Sequence, residues 1–350
     1  MGKDSRSQDQ QGGHMKLNSK ALFAAAGLAA FAFSPAYATE GGNVLTKAGA
    51  FIGASAGVPP PGIYMFNQVF TYQSNLTGPG TALLNAPGTR RTGVQGNVDV
   101  QGFLFVPGWT FLGATYDAVF VQPFISQSLG SPINAQAAGM FNSYIVPVEL
   151  SWKLGTSGFA VKTGVGIGLD DGTVTGANGL GNVANPYYTF QPELILSYLK
   201  DGWNLSVAMY DEINTENRVT HYTTGNIFHA DFTATKTFGK WTIGPVAYFV
   251  GQVTDDKCPV SCLATGESTL LHSSKYSVWA VGGLVEYNFG PASLSVWATQ
   301  EVSAKVSNPA ALAAIGVDPS VVTQGTTVFA TLSYRLWAPE EPPKPALIHK

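Results

Sequence analysis

His229 and Asp231 are the two residues whose spacing comes nearest to catalytic geometry. They are alternate residues of an extended segment, so their side chains share one face and stand within hydrogen-bonding reach. A hydrolytic site would also need a nucleophile held by that base, and spacing assigns none to the pair, so no catalytic residue is nominated. Cys258 and Cys262, in the run Cys258-Pro259-Val260-Ser261-Cys262, suit either a small closed disulfide loop or part of a metal site. Metal binding needs further ligands, and the nearest is the lone His272. In an exported chain the disulfide is the favoured reading, and no metal or cofactor is expected. Asn308-Pro309-Ala310 and the stretch Gly164 to Gly168 lack phosphate-loop spacing.

The other chemistry-bearing residues are charged side chains set singly among apolar ones: Asp99, Asp117, Glu149, Lys153, Lys162, Asp170, Glu193, Glu212, Glu286, Glu301 and Arg335, together with His229 and Asp231. The period of their surroundings is two. From Tyr188 to Tyr198 one face carries Tyr188, Phe190, Pro192, Leu194, Leu196 and Tyr198, and the other Thr189, Gln191, Glu193, Ile195 and Ser197. From Phe159 to Leu169 the outer set is Phe159, Val161, Thr163, Val165, Ile167 and Leu169, opposite Ala160, Lys162, Gly164, Gly166 and Gly168. From Tyr144 to Leu154 the same reading puts Tyr144, Val146, Val148, Leu150, Trp152 and Leu154 outside, and Ile145, Pro147, Glu149, Ser151 and Lys153 inside. If the apolar faces meet lipid, the charged residues, with Gln101, Gln252 and Asn288, line a lumen. There they either set the selectivity of a pore or pair with one another inside it.

About twelve such segments follow one another, centred on Tyr64–Gln73, Asn97–Val106, Thr110–Val121, Phe141–Leu154, Phe159–Asp170, Tyr187–Leu199, Trp203–Asn214, Ile227–Thr237, Trp241–Thr254, Tyr276–Phe289, Ser293–Ala304 and Thr326–Trp337. The connections alternate between tight and long. Pro107-Gly108, Gly155 to Gly158, Lys200-Asp201-Gly202, Gly239-Lys240 and Gly290-Pro291 suit hairpin turns, whereas the intervening links are long. Trp109, Trp152, Phe159, Trp203, Phe238, Trp241, Phe289 and Trp337 all fall beside a tight turn or at the last strand end, as an interfacial girdle requires. The predicted fold is all-β: a transmembrane antiparallel up-and-down β-barrel with short periplasmic turns and long extracellular loops. About eight strands give an interior that side chains fill and about sixteen a wide channel, so this count predicts a narrow passage.

Composition agrees. Charged residues make up 12% of the chain, against about 25% in soluble proteins. The net charge of -3 gives no sign of a nucleic-acid partner. Lys16 and Lys20 precede the uncharged run Ala21 to Phe33, and Ala36-Tyr37-Ala38 follows, so residues 15–38 read as a cleaved secretory signal behind an upstream extension, 1–14. Residues 39–61 form a lead-in that is either a periplasmic tail or a luminal plug. Its small residues, Ala48 to Gly57, offer few bulky anchors and favour the solvated reading. The barrel occupies 62–337, and a Pro-rich periplasmic tail, 338–350, closes the sequence.

The segments Pro59-Pro60-Pro61-Gly62-Ile63-Tyr64, Tyr188 to Tyr198, Tyr222 to Phe232, Trp241 to Asp256 and Thr331-Leu332-Ser333-Tyr334-Arg335 resemble the outer-membrane family named for the meta-pathway of phenol degradation. The resemblance implies a bacterial outer-membrane transporter of small organic compounds, aromatic or hydrophobic, with outer-membrane lipid and the barrel-assembly machinery as its other partners and no catalytic residues to carry over. Similar barrels end on an aromatic residue, whereas here Trp337 is followed by Ala338 to Lys350. A surface barrel acting through its extracellular loops and a membrane enzyme are the competing functions. The sequence leaves solute and oligomeric state open.

Overall fold

The computed structural model describes residues 44–84, 92–131, 134–174, 183–263 and 274–340. Residues 15–38, expected to be a signal sequence, His272 and residues 341–350 lie outside them. Strands β1 (Gly62–Thr77), β2 (Gly93–Val106), β3 (Thr110–Phe111), β4 (Ala114–Leu129), β5 (Ala135–Met140), β6 (Tyr144–Lys153), β7 (Phe159–Gly168), β8 (Thr189–Tyr198), β9 (Trp203–Asn214), β10 (Ile227–Phe238), β11 (Trp241–Gln252), β12 (Lys275–Asn288), β13 (Ala292–Ser307) and β14 (Val322–Trp337) form one antiparallel sheet. The two-residue β3 and the six-residue β5 are side pieces that pair with β4. The other twelve strands each pair with their neighbours in sequence, and β1 pairs with β14 from Ile63↔Trp337 to Thr77↔Val322, which closes the barrel. Among the described residues, closure gives each of the twelve strands a partner on both sides, the condition for strands to cross a bilayer.

The twelve predicted strands are all present; β1, β2, β4, β13 and β14 run further at the loop end than alternation suggested, while β6, β7, β8 and β11 stop short of the expected end. β1, β4 and β14 each run to 16 residues. The girdle aromatics Trp109, Phe159, Trp203, Phe238, Trp241, Phe289 and Trp337 are all exposed at the tight-turn end. At the other end Cys258 and Cys262 form a disulfide, with 5.2 Å between their Cα atoms.

Two strands differ from the alternation read in the sequence. In β6 the register slips between Ile145 and Glu149, so a bulge at Pro147-Val148 reverses the faces. Tyr144 and Val146 therefore point inward with Glu149 and Ser151, and Ile145 turns out. Proline has no N–H to give the ladder, which favours a bulge there. In β2 the buried face is Val94, Gly96, Val98, Val100, Gly102 and Leu104, and Asp99 and Gln101 lie on the outer wall. Both faces of β2 carry apolar residues, so pattern alone misassigns it. The Phe66 ring decides: it lies on Gly102, where any Cβ would overlap it. Outside, Asn67 donates to Gln101, and Gln101 donates to Asp99 at 3.0 Å, which reduces the cost of polar groups on a wall that faces lipid elsewhere.

Candidate functional site

The barrel interior holds a segment of its own chain. Val44–Gly57 is buried throughout, ahead of β1, and makes successive tight turns: Ala50 N–H to Lys47 O at 3.1 Å and Ala54 N–H to Phe51 O at 2.9 Å. Gly49 adopts φ +91°, a backbone state that other residues rarely take, and the turn lets its N–H point at the wall.

The wall meets this backbone with carboxylates and hydroxyls. Glu212 on β9 accepts the N–H groups of Leu45 (2.9 Å) and Thr46 (2.8 Å). Asp231 on β10 accepts those of Gly49 (2.9 Å) and Phe51 (2.9 Å). Thr233 accepts from Gly53 and Ser197 from Ala56, each at 2.8 Å. In the other direction Trp297 donates its Nε1–H to Gly49 O at 3.0 Å, and Asn204 donates to Gly53 O at 3.2 Å. Hydrogen bonds to ionised acceptors contribute about 1.5–3 kcal/mol each, so the two carboxylates dominate the anchoring. The solvated lead-in expected from the sequence is thus replaced by a seated one. Its small residues bring the backbone close enough for the wall to grip it. Gly168 allows the same approach from β7, where an added Cβ would come within 2.5 Å of Leu45 Cδ1.

His229 and Asp231 do share a face, yet they serve separate partners. His229 Nε2 stands 3.2 Å from Glu212 Oε1, and its ring stacks on Tyr210 at 4.5 Å. Asp231 is committed to the segment.

A second buried cluster lies nearer the tight turns. Lys162 on β7 reaches Asp117 at 3.1 Å and Glu149 at 3.0 Å, and the buried Glu193 carboxylate stands beside them. The bulge in β6 is what turns Glu149 into this group. Glu286, close to the turn end of β12, accepts from Ser295 at 2.6 Å.

Other predicted lumen residues fall at the rims. Lys153 is exposed at the turn end of β6, and Asp170 lies past the loop end of β7, where Arg218 donates to it at 2.6 Å. Arg335 sits at the turn-end mouth over the Tyr64 ring, 5.6 Å from its centroid, and donates to Pro61 O. Asp99, expected in the lumen, belongs to the outer wall.

Opposite the polar wall of β7–β10, the interior of β1, β2 and β4 is mostly apolar: Phe66, Phe70, Val98, Val100, Leu104, Val119, Val121 and Ile125 are buried there, interrupted by Gln68, Ser74, Asp117 and Gln127. The interior is therefore two-sided, with the seated segment between the sides. Sequence reasoning missed the apolar side because it took the more apolar face of each strand as the lipid face. A depression of about 910 Å³ elsewhere is on the outer wall, bordered by Leu196, Val207, Phe232 and Ala247, where acyl chains would fill it.

Fold and interior together define an outer-membrane-type β-barrel of twelve strands with an internal segment. The chain belongs to the family described as "Putative MetA-pathway of phenol degradation", whose match covers residues 73–317. Among solved structures it is similar to an outer membrane channel from Pseudomonas putida F1, with 9% identity, a TM-score of 0.61, and coverage of 79% of this chain and 96% of that one. Looser likenesses are to the translocator domain of an autotransporter from Neisseria meningitidis (10% identity, TM-score 0.43, 79% and 88% covered) and to a FadL homologue from Pseudomonas aeruginosa (10%, 0.39, 80% and 91%). At 9% identity the first likeness is one of fold. No curated protein matches the chain.

Proposed function

We propose that this barrel is a gated outer-membrane channel for small organic compounds, apolar or aromatic, and that Val44–Gly57 is its plug. The observation that carries the reading is the two-sided interior. One wall holds the plug by polar groups, while the facing wall, centred on the wholly apolar inner face of β2 and on Phe66, Phe70, Val119, Val121 and Ile125 beside it, offers a largely apolar track that needs few hydrogen bonds from its cargo. Such a track suits solutes with little hydration to lose. The family's link to phenol degradation and the neighbour described as an outer membrane channel agree with it. A catalytic role finds no support in the placement of His229, because the Asp231 that would orient it is occupied by plug N–H groups.

The test is planar-bilayer conductance and liposome uptake of phenol and toluene, comparing the full mature chain with a variant lacking residues 44–57. The reading expects brief, rare openings from the full chain and sustained conductance with faster uptake from the variant. A correctly folded deletion variant that neither conducts nor admits either solute would overturn it.

A further inference from the structure

Lys47 is the only cation in the buried segment, and its side chain is 0% exposed. Its ammonium lies 3.4 Å from Glu301 Oε1, 4.2 Å from the centroid of the Tyr72 ring and 5.5 Å from that of Tyr248. The rest of this cradle belongs to the barrel wall, and it is already assembled. Tyr72 donates its hydroxyl to Glu301 Oε2 at 2.8 Å, Tyr248 donates to Oε1 at 2.7 Å, and the Gly325 N–H donates to Oε2 at 2.7 Å. Three wall donors hold the carboxylate in place and two electron-rich ring faces stand beside it, whichever cation is present. A desolvated carboxylate with aromatic faces is the chemistry that recognises an organic ammonium ion.

An apolar shelf adjoins the cradle. Phe70 precedes Tyr72 by two residues on the same face of β1; its ring stands 4.8 Å from Phe329, which stacks on Trp297 at 4.8 Å. A ligand with its ammonium at Glu301 would lay a hydrocarbon tail along these rings. The surrounding charge has the same sign preference. Among the described residues the buried interior carries Asp117, Glu149, Glu193, Glu212, Asp231, Glu286 and Glu301 against Lys47 and Lys162.

We propose that the Tyr72–Tyr248–Glu301 cradle is a binding site for primary ammonium ions bearing an apolar tail, and that Lys47 is its built-in competitor. Such a ligand binds only when Lys47 has left the cradle, so by mass action it draws the segment out of its seat. The release step rests on the plug reading above; cradle binding does not. Neutral alcohols lack the charge to displace Lys47, and carboxylate solutes meet a field of their own sign.

The full mature chain in detergent micelles is exposed to chymotrypsin, and cleavage after Phe51 is followed by mass spectrometry in n-butylammonium chloride, n-butanol, sodium butyrate or sodium chloride, the salts at equal ionic strength. n-Butylammonium alone is expected to speed cleavage roughly tenfold or more at concentrations well above its dissociation constant. Glu301→Gln is expected to cleave fast without ligand and to lose the dependence. Should that variant misassemble, Tyr72→Leu and Tyr248→Leu, which remove the rings, must each weaken the response. No acceleration by n-butylammonium, or equal acceleration by n-butanol, overturns displacement. Calorimetry on Lys47→Ala separates the two readings: it should bind n-butylammonium, and the Lys47→Ala, Glu301→Gln double variant should not. Failure to bind overturns the cradle even if the barrel conducts. Binding by a barrel that never conducts upholds the cradle and sinks the channel alone.

Discussion

Gly49 donates its backbone N–H to the Asp231 carboxylate at 2.9 Å across 182 residues of sequence, and the same carboxylate takes the Phe51 N–H. Removing it in Asp231→Ala leaves both donors without their charged acceptor inside the barrel. The seat is expected to weaken by about 3 kcal/mol, which raises the open fraction roughly a hundredfold. Single-channel recording checks this, and an open probability equal to that of the unaltered chain would count against the anchor.

Gly168 gives Leu45 its place against β7. Gly168→Val puts side-chain atoms where the Leu45 methyl groups lie, so the plug is expected to shift while the twelve-strand barrel closes as before. Retained heat-modifiable migration on a denaturing gel, combined with faster proteolysis at Phe51, is the predicted pair of readouts.

Lys162 is the buried cation shared by Asp117 and Glu149. Lys162→Met strands those carboxylates, and breaking a buried pair from one side costs about 3–5 kcal/mol. Urea unfolding in lipid vesicles should show a loss of that order. A double change that also neutralises Asp117 and Glu149 should recover much of it.

Asp99 on the outer wall makes the opposite prediction. Asp99→Leu removes a carboxylate from the lipid side and is expected to stabilise the barrel by up to about 2 kcal/mol, with no change in conductance. A bimane label on Asp99→Cys should be quenched by brominated lipid, as a luminal label would not be.

Asp318 lies in the external loop between β13 and β14. Partial burial alone would raise its carboxyl pKa, but the Ser320 hydroxyl and the N–H groups of Ser320 and Asn308 hold it below the usual carboxylate range. A depressed folded value means that the stabilisation is fully present above the unfolded pKa and is lost as pH falls through the folded one. The loop is therefore expected to resist proteolysis at neutral and mildly acidic pH and to open only below the ordinary Asp range, whereas Asp318→Asn should leave it open at every pH.

What the sequence determined by itself was the barrel. Strand number, the rhythm of tight turns and long loops, and the placement of Trp203, Trp241 and Trp337 follow from period-two alternation and from the bilayer's demand that every backbone group be paired, both local and repeated. The disulfide partners were legible for the same local reason, since Cys258 and Cys262 lie four residues apart. Where a strand carries apolar residues on both faces, as β2 does, or a proline at its centre, as β6 does, alternation does not fix which face points in. Contacts with neighbouring strands do: Phe66 over Gly102 settled Asp99 on the outside, and the slip at Pro147 brought Glu149 beside Lys162. The seated segment was the least legible feature, because its anchors are backbone N–H groups, which every sequence possesses, and their acceptors lie on strands far along the chain. Only closure of the barrel brings Glu212, Asp231 and Glu301 around Val44–Gly57, and only then does Lys47 become the cation of a buried cradle.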